Sequence, residues 1–238
     1  MKIIFLNCFT GQLEKPLLDY ISSASSSTDI FCFQEVSVSL EKKISGILIN
    51  YSKIFEIGFM LSDCNEEAGQ IIYTKNGIEI EKSEKILIHE LITKDIGFLL
   101  YAELKIGNKK IVIGNVHGTS APGDKKDTSK RLEQSKLILN SFKNLKENVI
   151  IGGDFNLLRN TKSIEMFELA GYRNLVKDFN IKATRNKIAW ERFKNEPNFV
   201  KQFDSDYIFA SKDVKINSLE VPYNEISDHL PLAVEIDI

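Results

Sequence analysis

Six apolar stretches of this 238-residue chain run into carboxylate, amide or imidazole side chains at one end. They are "FLN" at Asn7, "FQE" at Glu35, "GNVHG" at Asn115 and His117, "GGDFN" at Asp154 and Asn156, "DSDYIF" at Asp206, and "SDHLP" at Asp228 and His229. Glu35 ends "DIFCFQEV", an otherwise nearly apolar segment. It is either a strand terminus reaching solvent or a buried carboxylate, for which a cation is the natural companion. A hard Mg²⁺ ion takes one or two carboxylates, keeps several waters and completes its shell with substrate phosphate. Asn7, Glu35 and Asp228 meet that demand, and no Cys/His cluster offers a structural zinc site. In a strand, residues two apart face the same way, so Asp154 and Asn156 would point together and hold a water from two directions. The competing reading of the same residues is a local turn. His229 can bind phosphate or carry a proton only if another group sets its tautomer. Asp228 is its neighbour in sequence and would face away, so Asp206 is the better orienting partner. His89, without polar companions in "ILIHELIT", reads as structural.

The elements that must position these groups alternate. "KIIFLN" and "DIFCFQEV" read as buried strands, and "LEKPLLDYISSA" as a helix with Pro16 in its first turn. Ile44, Ile47 and Leu48 belong to a second helix, followed by strands near 54–60 and 69–74. "FLLYAELKIG" and "KKIVIGNVHG" flank the turn Gly107-Asn108 as a hairpin. Asp127 and Thr128 are start signals for a helix through "SKRLEQSKLILNSFKNL", with its leucines and isoleucine at three- and four-residue steps. Arg131 and Gln134 in it read as surface. "NVIIGGDFNLL", "DSDYIFAS" and "PLAVEI" supply further strands, and Gly152 and Gly153 would let the backbone approach a ligand. No linker or repeat divides the chain, which predicts one α/β domain over 1–238 with a mixed sheet or two packed sheets covered by helices.

Composition narrows the classes. The apolar run at the N-terminus is too short for a signal peptide, and no later run approaches a membrane span, so a cytoplasmic protein without membrane contact is expected. No obligate protein partner is evident. Cys8, Cys32 and Cys64 sit among apolar residues at no metal-binding spacing, which predicts buried free thiols. The net charge of −2 makes no global case for nucleic acid. Residues 109–146 nevertheless hold nine Lys/Arg against three Asp/Glu, and 159–203 hold ten against five. Two basic segments on an otherwise acidic chain suit an anionic substrate held near a cation.

Taken in order, "LNCF", "FQEV", "GNVHGT", "GGDFN", "SDYIF" and "SDHLP" resemble the motif series of the endonuclease/exonuclease/phosphatase superfamily. The resemblance spans almost the whole chain. It implies a four-layered sandwich, two central mixed β-sheets flanked by helices, and a Mg²⁺- or Mn²⁺-dependent phosphoesterase site. Glu35 and Asn7, assisted by Asp228, match the metal side; Asp154 and Asn156 match the pair that orients the attacking water. Asp206 and His229 resemble the family's Asp-His pair, and His117 the histidine on the leaving-group side in deoxyribonuclease-type diesterases. The implied reaction is in-line attack of water on phosphorus, on a nucleic acid or nucleotide. The alternatives are a phosphomonoesterase, a phosphoesterase of lipid head groups or inositol phosphates, or a binding module that has lost its chemistry. Phe9, where abasic-site endonucleases carry an acid, and His117, where they carry tyrosine, argue against abasic DNA. Glu66 or Glu67 is the candidate partner of His117. In "NIKATRNKIAWERFKN", Arg185 and Arg192 are candidates to hold phosphate, and Trp190 either stacks a base or anchors the segment to the core.

Overall fold

All four apolar residues of "KIIFLN" are buried, because the strand they form is covered on both faces; such strands read as continuous apolar runs rather than alternating ones. Ile3 and Phe5 face a core shared with Ile113, Ile150 and Tyr207, whereas Ile4 and Leu6 face a second core with Leu17, Ile21, Leu40 and Ile44. The period of two along one strand therefore divides the protein into layers.

The computed structural model describes residues 1–61, 65–88, 97–145, 147–191, 193–196 and 199–238. Cys64, His89 and Arg192 lie outside the described residues. The chain runs β1 (Lys2–Asn7), α1 (Glu14–Ala24), β2 (Ile30–Ser37), α2 (Val38–Ile47), β3 (Tyr51–Leu61), β4 (Glu66–Lys75), β5 (Glu79–Leu87), β6 (Phe98–Ile106) and β7 (Lys109–His117). It continues α3 (Ser129–Phe142), β8 (Asn148–Asp154), α4 (Lys162–Leu169), β9 (Arg173–Asn174), α5 (Leu175–Asp178), α6 (Ile188–Glu191), β10 (Asp206–Ala210), β11 (Lys215–Glu220) and β12 (Leu232–Asp237). One six-stranded sheet has the order β11-β12-β1-β2-β4-β3 and the other β5-β6-β7-β8-β10-β9. Each is mixed, with one parallel pair: β1 with β2 in the first, β7 with β8 in the second. The apolar faces of α1 and α2 cover the first sheet; Ile138 and Phe142 of α3 and Ile164 and Phe167 of α4 join the core of the second. The expected four-layered α/β sandwich is the architecture observed. No helix among the described residues is long and apolar enough to cross a membrane.

Local signals explain most elements. Ser37 caps α2 by accepting from Leu40 N at 3.2 Å, and Thr128 caps α3 by accepting from Arg131 N at 3.1 Å. Gly107, at φ +59°, takes the first central position of the β6–β7 hairpin turn, where a type II′ turn places glycine. Cys8 and Cys32 are buried free thiols.

Three expectations are corrected. Asp127 does not start α3; its carboxylate accepts from Lys162 N and Ser163 N at 2.7 and 2.9 Å, at the start of α4. Gly152 and Gly153 serve close packing, Gly152 against the other sheet and Gly153 against the neighbouring strand β7, and not a ligand. A Cβ on Gly152 would stand 2.8 Å from the Phe5 ring, and one on Gly153, at φ +125°, would strike the carbonyl oxygen of Val116. Nor are Arg131 and Gln134 surface residues: both are fully buried. The buried stripe of α3 is Arg131, Gln134, Ser135, Ile138 and Phe142, polar toward the helix start because that end backs onto the site.

Candidate active site

The two parallel pairs bring their C-terminal ends together. β1 and β2 are in register at Asn7 and Gln34, and β7 and β8 at His117 and Asp154. Between the sheets lies a buried polar stitch: Gln34 Nε2 donates to Asn115 Oδ1 at 2.5 Å, and Asn115 Nδ2 donates to the carbonyls of Phe33 and Ile71. Asn115, one of the polar residues of "GNVHG", is thus part of the scaffold. Immediately beyond it, Asn7 Nδ2 donates to Glu35 Oε1 at 3.0 Å and to Asp154 Oδ2 at 3.1 Å, across from one sheet to the other. Glu35 reaches this position from a bulge: the pairing of β2 with β4 shifts between Phe33 and Val36, and Glu35 takes φ +52°. Left-handed backbone on a non-glycine residue costs about 1 kcal/mol, and bulges re-aim side chains at sites.

Asp154 and Asn156 meet through a turn, not through the pleat of a strand. β8 ends at Asp154, and Asn156, at φ +54°, folds back so that its N–H donates to Asp154 Oδ1 at 2.8 Å and its Nδ2 to Asp154 Oδ2 at 3.2 Å. Ser205 Oγ adds a donation to Oδ1 at 2.5 Å. Burial opposes ionisation of Asp154, yet the charges of His229, Lys125 and His117 and the Ser205 hydroxyl hold it well below the usual carboxylate range.

Asp206, the first residue of β10, faces His229 Nδ1 with both oxygens, at 2.9 and 3.0 Å. Thr184 Oγ1 accepts from the backbone N–H groups of Ser205 and Asp206 and fixes that strand end. Ser227 Oγ donates to the Asn7 carbonyl at 2.7 Å, tying the "SDHLP" loop to β1. With Nδ1 engaged, His229 Nε2 points toward Asp154 Oδ2 at 3.7 Å and Asp228 Oδ1 at 3.8 Å. Burial lowers the imidazole pKa, but Asp206, Asp228 and Asp154 outweigh it and push it up to about 9. His229 is therefore an imidazolium at neutral pH.

His117 stands 3.5 Å by Nε2 from Glu35 Oε1. Glu35 is the carboxylate at this histidine, whereas Glu66 accepts from Ser39 N at the start of α2 and Glu67 is exposed. Arg185 pairs with Asp228 Oδ2 at 3.4 Å. Trp190 is half-buried, edge-on to Phe203 at 5.2 Å, with Lys201 Nζ 5.6 Å from its ring. His117, Arg185, Asp228, Trp190 and Lys201 line a cleft of about 1440 Å³ with Glu35, Asp154, Asn156 and His229.

Glu35, His117 and Asp154 each offer a ligand atom within 4.8 Å of one another, and so do Asp154, Asp206 and His229. The first group, two carboxylates beside an open cleft, suits a hard divalent ion. In the second, His229 and Asp206 form an ion pair, and a protonated imidazole is no ligand. Asn7 belongs to the first group as the amide linking its carboxylates; Asp228, engaged by Arg185, belongs to neither.

Several site residues had no audible signal in the sequence. Lys125, in a basic loop, donates from Nζ to Asn156 Oδ1 and is 6% exposed. Burial, with the charges of Arg185 and Arg131, brings its pKa down to about 8 against the opposing pull of Asp154 and Asp206. Arg131 donates to the carbonyls of Lys126, Thr119, Ser120 and Pro122, and Gln134 Oε1 accepts from Thr119 N at 2.9 Å. Only the three-residue spacing of Arg131 and Gln134, on the face that carries Ile138, hinted at their burial.

No curated protein matches this chain in sequence. Solved structures do match in fold. An endonuclease/exonuclease/phosphatase from Bacteroides vulgatus has TM-score 0.79 and 17% identity, covering 100% of this chain and 98% of that one. A mannosyl-6-phosphatase from Bacteroides thetaiotaomicron has TM-score 0.77 and 16% identity, with full coverage of both chains. D. rerio TDP2, complexed with a single-strand DNA product, has TM-score 0.78 and 18% identity, covering 100% and 99%. The sequence profile of the Endonuclease/Exonuclease/phosphatase family matches residues 6–229, nearly the entire chain with every cluster described above. This protein belongs to the endonuclease/exonuclease/phosphatase family, whose divalent-metal dependence and phosphoesterase chemistry agree with the carboxylates and imidazolium gathered in its cleft.

Proposed function

We propose that this protein is a Mg²⁺- or Mn²⁺-dependent phosphodiesterase that hydrolyses nucleic acid or nucleotides. The observation that carries the reading is the meeting, at the floor of one cleft, of an imidazolium held by Asp206 and a carboxylate group shared between two sheets. A divalent ion at Glu35 and Asp154, with Asn7 between them, would supply Lewis-acid polarisation of the phosphoryl group. Asp154, kept ionised and fixed by Asn156 and Ser205, orients the attacking water by accepting from it. His229 turns Nε2 to the cleft and neutralises charge that grows on a phosphoryl oxygen, while Asp206 keeps it protonated. His117, beside Glu35, is placed to serve the leaving oxygen. Arg185 and Trp190 line the cleft as contacts for the rest of the substrate, and its volume exceeds the 300–1,000 Å³ or so of small-molecule pockets. The DNA product held by D. rerio TDP2 supports this substrate class.

The mannosyl-6-phosphatase similarity favours a second reading, a phosphomonoesterase. Hydrolysis of bis-(p-nitrophenyl) phosphate and of its monoester, with Mg²⁺, with Mn²⁺ and with chelator, separates the two. Metal-dependent diester cleavage that disappears in His229→Ala is expected. Cleavage of the monoester alone transfers the assignment to the second reading; undiminished turnover in His229→Ala refutes both.

A further inference from the structure

The loop between β7 and α3 carries a charge for which the mechanism above has no use. Lys125 is nine-tenths buried, lines the cleft floor with Asp154 and His229, and reaches it from a left-handed backbone position at φ +56°. The loop is held deliberately. Arg131, itself fully buried, donates to carbonyls on both sides of Lys125, and the Lys125 carbonyl accepts from Leu158 N at 2.9 Å. A buried guanidinium is costly to spend on fixing a loop whose lysine merely points to solvent.

The ammonium has three donors. Among the described residues its hydrogen-bond acceptor is Asn156 Oδ1, which leaves two donors at the cleft floor without a protein partner. Asn156 has no freedom to present another atom: its Nδ2 donates to the Gly118 carbonyl at 3.0 Å and to Asp154 Oδ2 at 3.2 Å, so Oδ1 must face Lys125. A desolvated ammonium with unused donors, set among the carboxylates of Asp154 and Asp206 and the guanidinium groups of Arg185 and Arg131, is completed by an oxyanion that enters the cleft.

We propose that Lys125 is a further catalytic residue, whose ammonium binds a non-bridging oxygen of the scissile phosphoryl group, with Asn156 as the positioning residue that aims it. The proposal rests on the phosphoesterase reading of the site and adds a second protein cation to His229 there. Lys125 then stabilises charge that increases toward the transition state, the role for which a single preorganised donor contributes a factor of about 10²–10³ in rate.

The test pairs Lys125→Met with Lys125→Arg, Lys125→Gln replacing the former if it does not fold. With Mg²⁺ and bis-(p-nitrophenyl) phosphate, the methionine variant is expected to lose kcat/KM by about 100-fold, and the arginine variant to recover part of it. Inorganic phosphate, titrated by calorimetry in chelator, is expected to bind the methionine variant at least about tenfold more weakly than wild type, as loss of a charge-assisted hydrogen bond predicts. If the wild type turns over, kcat/KM within about threefold of wild type in Lys125→Met overturns the proposal. If the wild type cleaves neither ester, the reading of the function has failed and the phosphate titration decides. Equal binding by variant and wild type, or no binding by either, then overturns the role of Lys125.

Discussion

Lys125→Met exchanges a buried ammonium for an apolar chain of similar reach, and the burial of that charge sets the direction of the effect on stability. In the folded protein, burial first and then the charges of Arg185 and Arg131 bring this lysine from 10.5 down to about 8. At about 1.4 kcal/mol per pKa unit, holding the proton at pH 7 costs the fold about 3 kcal/mol. The variant removes that cost and leaves Asn156 Oδ1 without its donor, a loss of about 1–2 kcal/mol. The net gain is about 1–2 kcal/mol, or a Tm higher by roughly 2–4 °C for a chain of this length. Because the folded pKa is depressed, the unfolded chain binds one more proton at this lysine between pH 8 and 10.5, and the contribution of Lys125 to wild-type stability rises with pH across that window. The advantage of the variant therefore shrinks by about 3 kcal/mol between pH 7 and 10.5 and changes sign. Urea unfolding followed by circular dichroism, in chelator, reads the difference between the two proteins at each pH; groups common to both cancel. A variant less stable than wild type at pH 7, or a difference that does not move with pH, refutes the account of Lys125 as an ammonium held against its environment.

In Asp206→Asn the largest charge holding His229 protonated is gone, so the ring titrates well below about 9 and activity declines at lower pH than in wild type; an unchanged imidazole NMR titration refutes this. Gly153→Ala places a methyl at φ +125° against the Val116 carbonyl and destabilises the fold by about 3 kcal/mol or more; wild-type stability in denaturant would contradict the close approach of β7 and β8 at that position. Arg131→Met deprives the loop carbonyls of their donor, and hydrogen exchange in residues 119–126 is expected to accelerate at least tenfold; unchanged protection shows that the guanidinium does not hold the loop. Mg²⁺ or Mn²⁺ at 100 times its Kd raises stability by about 2.7 kcal/mol, and Glu35→Gln should abolish most of that gain in a thermal-shift titration.

The layers were legible because both faces of β1 and β2 are covered, and the apolar runs say so directly. Site partners were legible more often than the reasons for their meeting. Asp206 does meet His229 Nδ1, but "SDHLP" precedes β12 as a loop, so the parity of a strand is not what separates His229 from Asp228. Asp154 and Asn156 do lie together, through a left-handed turn that alternation could not reveal. Gln34 and Asn115 are polar residues in apolar strands, and the same pattern fits a catalytic group and a stitch between sheets. Lys125 sits in a run of basic loop residues, where solvation is the ordinary expectation; only the position of Arg131 behind it turns that loop inward. The missing information was tertiary each time: which layer a polar side chain faces depends on a sheet made from the other half of the sequence.

That dependence also explains why the site lies where it does. A parallel pair ends both of its strands at the same side, and each sheet contains one such pair. Packed face to face, the two sheets present Glu35 from one and His117 and Asp154 from the other to the same cleft, with Asn7 buried between Glu35 and Asp154. The relative placement of the sheets must then be held to within a few tenths of an ångström, since Asn7, bonded to Glu35 in its own sheet, spans them with a bond of 3.1 Å to Asp154. Gln34 and Asn115 supply that restraint from one residue before Glu35 and two before His117, while Gly152 lets Phe5 of the other sheet close in behind Asp154. Apolar packing alone is non-directional and tolerates sliding; a buried amide pair with fixed donors does not. The polar residues in the middle of the core strands thus belong to the chemistry at their ends, by fixing the register in which the two halves of the site meet.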